Sequence, residues 1–395
     1  MELLQPVIRP YDWGSRHAIA ELQGRPVPAA GPEAELWMGA HPSAPSGVAS
    51  TTLDAVIAAD PDGQLGRACV AEFGPRLPFL LKVLSADRAL SIQVHPSRAQ
   101  AEAGFRAENE RGLAAADRNY VDDWPKPELL CALTPFEVLA GLRDPADAAA
   151  LLRALDVDLL APLAAELEAA TGPAALSRAL TAILTWPGPG PLVDEVVAAC
   201  RSLADASPVA GPGRYAAACA AAVRAAADFP GDLGVVAMLL MRHVELAPGQ
   251  AVFMPAGGLH AYLRGTGIEV LANSDNVVRA GLTGKHIDVP ELLKLLDPAV
   301  TVPLLPPVPV AGGVGCFDTP VPEFRLYVAD LAEPEVALPG EGPRIALCTA
   351  GTAALRGERA QIKLARGESC FVPAADGRLR AVGPGRLFLA APGPA

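Results

Sequence analysis

The sequence predicts a mainly β protein with an α-helical insertion, built around two copies of a barrel-like β unit. Three observations predict it. Short apolar runs broken by Pro, Gly and Asp dominate residues 1 to about 143 and return after 231. Between them, 144–231 is rich in Ala and Leu at helical spacing. Leu246–Ala256 and Leu364–Ala374 align without gaps, sharing Leu, Ala, Gly, Phe and Pro at an offset of 118 residues. A chain of 395 residues, 51% hydrophobic and 19% charged, can bury cores for two or three domains.

The opening MELLQPVIRPYDWGS has no basic region followed by an apolar run, so no secretory signal is expected. Leu77–Leu84 and Leu90–Val94 read as strands. Helices are expected in LLRALDVDLLAPLAAELEAA, ALSRALTAILTW, LVDEVVAACRSLADA and YAAACAAAVRAAADF, with Pro173 and Pro191 at helix starts. Strand texture resumes in VELAPGQAVFMPAGGLHAYL. The uncharged stretch Pro298–Phe317 is long enough to span a bilayer, but its five prolines exclude a continuous helix, leaving a linker or edge strands. FRLYVADL, RIALCTAG, QIKLARGESCFVPA and RLFLAA complete the second β unit. The expected division is a discontinuous first barrel (1–143 and 232–297), a helical insertion (144–231) and a second barrel (298–395).

With 44 acidic against 32 basic residues, the net charge of −12 repels nucleic acid and anionic membranes, so no such partner is expected. An anionic small molecule would need a local basic pocket. Only five of the basic residues are Lys, which marks Lys82, Lys126, Lys285, Lys294 and Lys363 as positions where a compact ammonium could be wanted. Seven cysteines without a CxxC pair suit a reducing cytoplasm, the expected compartment.

Gly249-x5-Pro255-x-Gly257-x2-His260 resembles the second motif of the cupins, a jelly-roll superfamily: two glycines for tight turns, and a His at the barrel mouth. The second copy has Arg378 where the first has His260, so that barrel is expected to hold no metal. In Ser91-Ile-Gln93-Val-His95-Pro96, strand alternation turns Ser91, Gln93 and His95 to one side. In Tyr120-Val-Asp-Asp-Trp-Pro-Lys126-Pro-Glu128, prolines on both sides of Lys126 force extended backbone and project Lys126 and Glu128 together. A solvated loop is the plain alternative for that segment, and two satisfied polar side chains for Gln93 and His95. Taken with His260, these residues would make a four-ligand zinc site.

LPFLLKVLSADRALSIQVHPS, NYVDDWPKPELLCALTPFEVLAGLRD, PAGGLHAYLRGTGIEVLANSDNVVRAGLTGKH, PYDWGS and ELWMGAHPSAPS together resemble the type I mannose-6-phosphate isomerases. The resemblance runs in order over nearly the whole chain and implies two cupin-like jelly-roll barrels. It implies one zinc ion per chain on Gln93, His95, Glu128 and His260, and an aldose–ketose isomerisation through a cis-enediol. The family's Asn-His is replaced here by Trp124-Pro125. Glu269 and Lys126 become the expected proton-handling pair, Arg279 an anchor for oxyanion or phosphate, and Lys82, Ser91 and Lys285 the phosphate site. Tyr262, Asp275 and Trp13 are expected in the sugar pocket, with Asp275 orienting Arg279. The expected partner is a sugar phosphate, and the chain is expected to be monomeric. Two other readings stand beside this one: a sugar-phosphate-binding pseudoenzyme, and another metal-dependent cupin enzyme such as an oxygenase.

Overall fold

The computed structural model describes residues 1–170, 172–205, 213–332 and 335–394. Ala206, at the end of the third helical pattern, lies outside them. The architecture is mainly β with helices, as expected, in sheets of eleven, nine and four strands.

One strand organises the first sheet. His260–Ala272 is long enough to pair twice on each side. Its C-terminal half lies between Phe79–Ala86 and Glu128–Ala132, and its N-terminal half pairs with Ile92–Val94 and Phe136–Leu142. Glu35–Met38 adds outside Phe79–Ala86. The register sets Trp37 opposite Lys82, Lys82 opposite Glu269, and Glu269 opposite Leu130. Phe79–Ala86 is buried along its whole length, as its almost unbroken apolar sequence requires, and Lys82 is its one charge.

Alternation along Ile92–Val94 divides two environments. Ile92 and Val94 join Leu139, Leu259, Ala261 and Val278 in a core shared with the helices, while Gln93 faces the cleft on the other side. The helices are Pro145–Leu155, Ala161–Glu168, Ala174–Leu184, Pro189–Asp205 and Ala216–Asp228. The first begins where the Asp144 side chain accepts from the Ala146 N–H ahead of a first-turn proline, and it ends at Asp156 in the left-handed region. Their apolar faces bury Leu151, Leu176, Leu180, Val196 and Cys200, so the helices back the first sheet.

Residues 1–143 also contain helices that the β-rich reading did not separate out: Leu53–Ala59, Pro61–Leu65, Arg67–Phe73 and Arg98–Arg111. The last opens on a Ser97/Gln100 capping box and stops at Gly112 in the left-handed conformation.

The nine-stranded sheet joins Arg325–Asp330, Arg386–Ala391, Arg344–Ala350 and Ser369–Val372. Glu2–Gln5 pairs with Ser369–Val372 on one side and Gly47–Val48 on the other, so the start of the chain belongs to the C-terminal sheet. The repeat is structural: Gly249 and Gly367 both turn at positive φ, 88° and 85°, before the strands Ala251–Met254 and Ser369–Val372. The second unit is packed solid with Tyr327, Leu355, Leu364 and Leu389. Pro298–Phe317 supplies edge strands. Leu304–Leu305 pairs with Ala251–Met254, and Val308–Pro309 with Val314–Phe317. Among the described residues no helix is long and apolar enough to cross a membrane.

Candidate active site

A cleft of about 520 Å³ opens over the first sheet, and it gathers the residues singled out in the sequence. Trp13, Lys82, Ser91, Gln93, Lys126, Glu128, Tyr262, Glu269, Asp275, Arg279 and Lys285 line it. His95 and His260 are buried at its floor, beside Glu128.

Three strands bring the floor together. His260 opens the long strand and faces Gln93 in register, and Glu128 opens the neighbouring strand. His95 Nδ1 donates to the Asn276 carbonyl at 2.8 Å, and His260 Nδ1 donates to the Gly258 carbonyl at 3.0 Å. Those bonds fix the tautomers and leave both Nε2 lone pairs free. His95 Nε2 lies 3.4 Å from Glu128 Oε1, and His260 Nε2 lies 3.3 Å from Glu128 Oε2. Despite that closeness, His95 Nε2, Glu128 Oε2 and His260 Nε2 are buried without a hydrogen-bond partner, because with the ring protons on Nδ1 all three are acceptors.

Three orphaned acceptors converging on one point suit a cation. One ligand atom from each of His95, Glu128 and His260 lies within 4.8 Å of the others, close enough for all three to reach one ion at zinc bond lengths of about 2.0–2.2 Å. His95, Glu128 and His260 are the only such His, Cys, Asp and Glu cluster among the described residues. Gln93 lines the cleft and pairs in register with His260.

Charge is arranged around this floor. Lys126 Nζ contacts Glu128 Oε1. Burial works against the charge on Glu128, but Lys126 and the His95 side hold its carboxyl well below the usual range. Burial, then Lys126, push His95 down to about 4, so its imidazole is neutral and able to bind a metal. Lys82 Nζ lies 3.3 Å from Glu269 and 3.6 Å from Glu35, over the Trp37 ring at 4.9 Å. Trp37 Nε1 donates to Glu35 at 2.7 Å. Burial opposes the Lys82 charge, yet Glu35 and Glu269 outweigh it and raise its pKa. Burial raises the Glu269 carboxyl, with Lys82 pulling the other way. Burial and Glu269 push the Tyr262 hydroxyl well up, and that hydroxyl has no hydrogen-bond partner.

The mouth is cationic. Arg279 sits opposite Gln93 on the next strand, and Lys285 stands 5.9 Å over the Tyr11 ring. Among the described residues neither forms an ion pair. Burial lowers both, and the nearby Arg279 charge lowers Lys285 further. Trp13 stacks on Tyr11 at 5.7 Å. Asp275 does not pair with Arg279 as expected: its carboxylate lies 3.4 Å from His41 Nε2. Trp124, in place of the family's Asn, is buried against Phe73 with the Arg76 guanidinium 3.9 Å from its ring. It belongs to the buried core with Phe73 and Leu129.

Sequence reasoning missed Glu35, and the signal was present. Glu35 and Trp37 alternate as Gln93 and His95 do, which places both on the Lys82 side of the sheet. Asn276 was also missed, since its contacts are with residues far away in the chain.

Residues 1–145 match the family described as phosphomannose isomerase type I, catalytic domain, and residues 316–392 match the mannose-6-phosphate isomerase cupin domain. The chain is similar to the mannose-6-phosphate isomerase of Escherichia coli K12, at 38% identity over 397 residues and 98% of each chain. It resembles the apo crystal structure of mannose 6-phosphate isomerase from Salmonella typhimurium, with a TM-score of 0.89 and 35% identity over 100% of this chain and 99% of that one. A crystal structure of mannose 6-phosphate isomerase bound with zinc and yttrium has a TM-score of 0.89 and 35% identity over 100% of both chains.

Proposed function

We infer the reaction from the premise that this chain belongs to the type I phosphomannose isomerase family. The assignment is a zinc-dependent interconversion of D-mannose 6-phosphate and D-fructose 6-phosphate. One observation carries it: the three orphaned acceptors of His95, Glu128 and His260 share a cleft with the buried Lys82–Glu269 pair and the unpaired cations Arg279 and Lys285. That is the equipment for polarising a sugar, moving its proton and holding an anion.

Gln93, His95, Glu128 and His260 are the residues that would hold one zinc ion, which supplies Lewis-acid polarisation of the oxygens at C1 and C2. Arg279 and Lys285, with the Ser91 hydroxyl, take the phosphate, whose charge of about −2 offsets their unpaired positive charge. Lys82 belongs to the expected phosphate set, but Glu35 and Glu269 already face it, so its charge acts on Glu269. Glu269, raised by burial toward neutral pH, removes the C2 proton. The C–H electron pair becomes the C1–C2 double bond of a cis-enediol while O1 takes a proton from Lys126. Glu269 then returns its proton to C1, and Lys126 recovers a proton from O2. Tyr262, Trp13 and Asp275 line the sugar pocket.

The test is a coupled assay for fructose 6-phosphate formed from mannose 6-phosphate, run after chelation and after zinc add-back. Turnover lost with the metal and restored by zinc is expected. A protein replete in zinc that gives no fructose 6-phosphate would instead be a binding protein.

A further inference from the structure

Asn276 is fully buried and contacts neither the cleft nor a ligand atom, yet every polar group it has is used. Its Oδ1 accepts from the Val121 N–H at 2.8 Å. Its Nδ2 donates to the Asp122 carbonyl at 2.8 Å and to the Trp124 carbonyl at 2.9 Å. These partners fix the amide orientation, since only nitrogen can face two carbonyls. Its own carbonyl accepts from His95 Nδ1 at 2.8 Å, and its N–H donates to Ser274 Oγ at 3.2 Å. The Ser274 hydroxyl in turn lies 2.8 Å from Asp122 Oδ1.

We infer that Asn276 is a positioning residue for the metal site, joining the His95 arm to the Glu128 arm through one side chain and its own backbone. The inference rests on the zinc reading above. The segment 121–124 leads through Pro125 and Lys126 into Glu128, and the prolines make it stiff, so anchoring it at Val121, Asp122 and Trp124 sets where the carboxylate starts. The same residue's carbonyl sets the ring plane of His95. Two ligands from strands distant in sequence are thus referred to a single point. Partners of this kind behind metal ligands typically contribute about 10–100-fold in affinity.

Asn276→Asp is nearly isosteric. It keeps the Oδ1 acceptor for Val121 but turns an oxygen toward the two carbonyls. Ser274→Ala removes one hydroxyl from the same cluster and is milder. Zinc affinity is measured by chelator competition on the full chain, with the melting temperature of the metal-free protein recorded in parallel. The expected result is a dissociation constant raised about 10–100-fold for Asn276→Asp and about 2–10-fold for Ser274→Ala. Zinc stoichiometry should return to that of the unaltered chain at saturating metal. Unchanged zinc affinity in both variants, with or without a lower melting temperature, overturns the inference and leaves Asn276 a structural residue only. Failure of the unaltered chain to bind zinc is a separate result, which removes the metal reading itself.

Discussion

Lys82 and Glu269 show how a single pair tunes a proton acceptor. Burial raises the Glu269 carboxyl, and the ammonium beside it restrains that rise. Glu269 works as a base only when ionised, so activity should fall as pH drops through its elevated pKa, an acid limb above the ordinary carboxylate range. Lys82→Met removes the restraint, and the acid limb of the kcat profile should move to higher pH; a limb that stays put would separate the two residues. Glu269→Gln should lower kcat about 10²–10⁴-fold with KM little changed. Lys285→Ala should act in the opposite column, raising KM for the phosphorylated sugar by roughly tenfold while sparing kcat, the loss of one charge-assisted hydrogen bond.

At the level of elements, turns decide where ligands stand. Gly257 precedes His260 at φ 77°, and its N–H donates to the His95 carbonyl at 3.0 Å. A methyl group there would meet the Leu295 carbonyl at 3.2 Å in a backbone region that L residues avoid. Gly257→Ala should therefore cost about 1–2 kcal/mol or more in urea unfolding. The elements that sequence made legible are those with a period. Helices of the insertion repeat apolar residues over three turns, and Gln93 and His95 follow the two-residue alternation of a strand. Leu53–Ala59, Pro61–Leu65 and Arg67–Phe73 are one or two turns long, too short for a period to register. Arg98–Arg111 is longer, but it buries only Ala101 and Glu108, so its signal lay in the Ser97 cap instead. Glu35 was readable by alternation. Asn276 was not, because its work is done on a loop more than 150 positions earlier.

Across the whole molecule, the metal site is a tie between strands that contribute His95, Glu128 and His260 from three separate stretches of the chain. Ligand that binds only the folded state stabilises it by about 2.7 kcal/mol at a hundredfold excess over Kd. Calorimetry should thus show a melting temperature that climbs with zinc and falls after chelation, and His260→Ala should abolish the zinc dependence along with turnover. The pairing of Glu2–Gln5 with Ser369–Val372 adds a constraint of another kind, one of timing. During synthesis Glu2–Gln5 can meet Gly47–Val48 early, but its partner on the other side, Ser369–Val372, follows roughly 20–70 s later at about 5–20 residues per second. Until then the edge that Ser369–Val372 will cover is open to wrong partners.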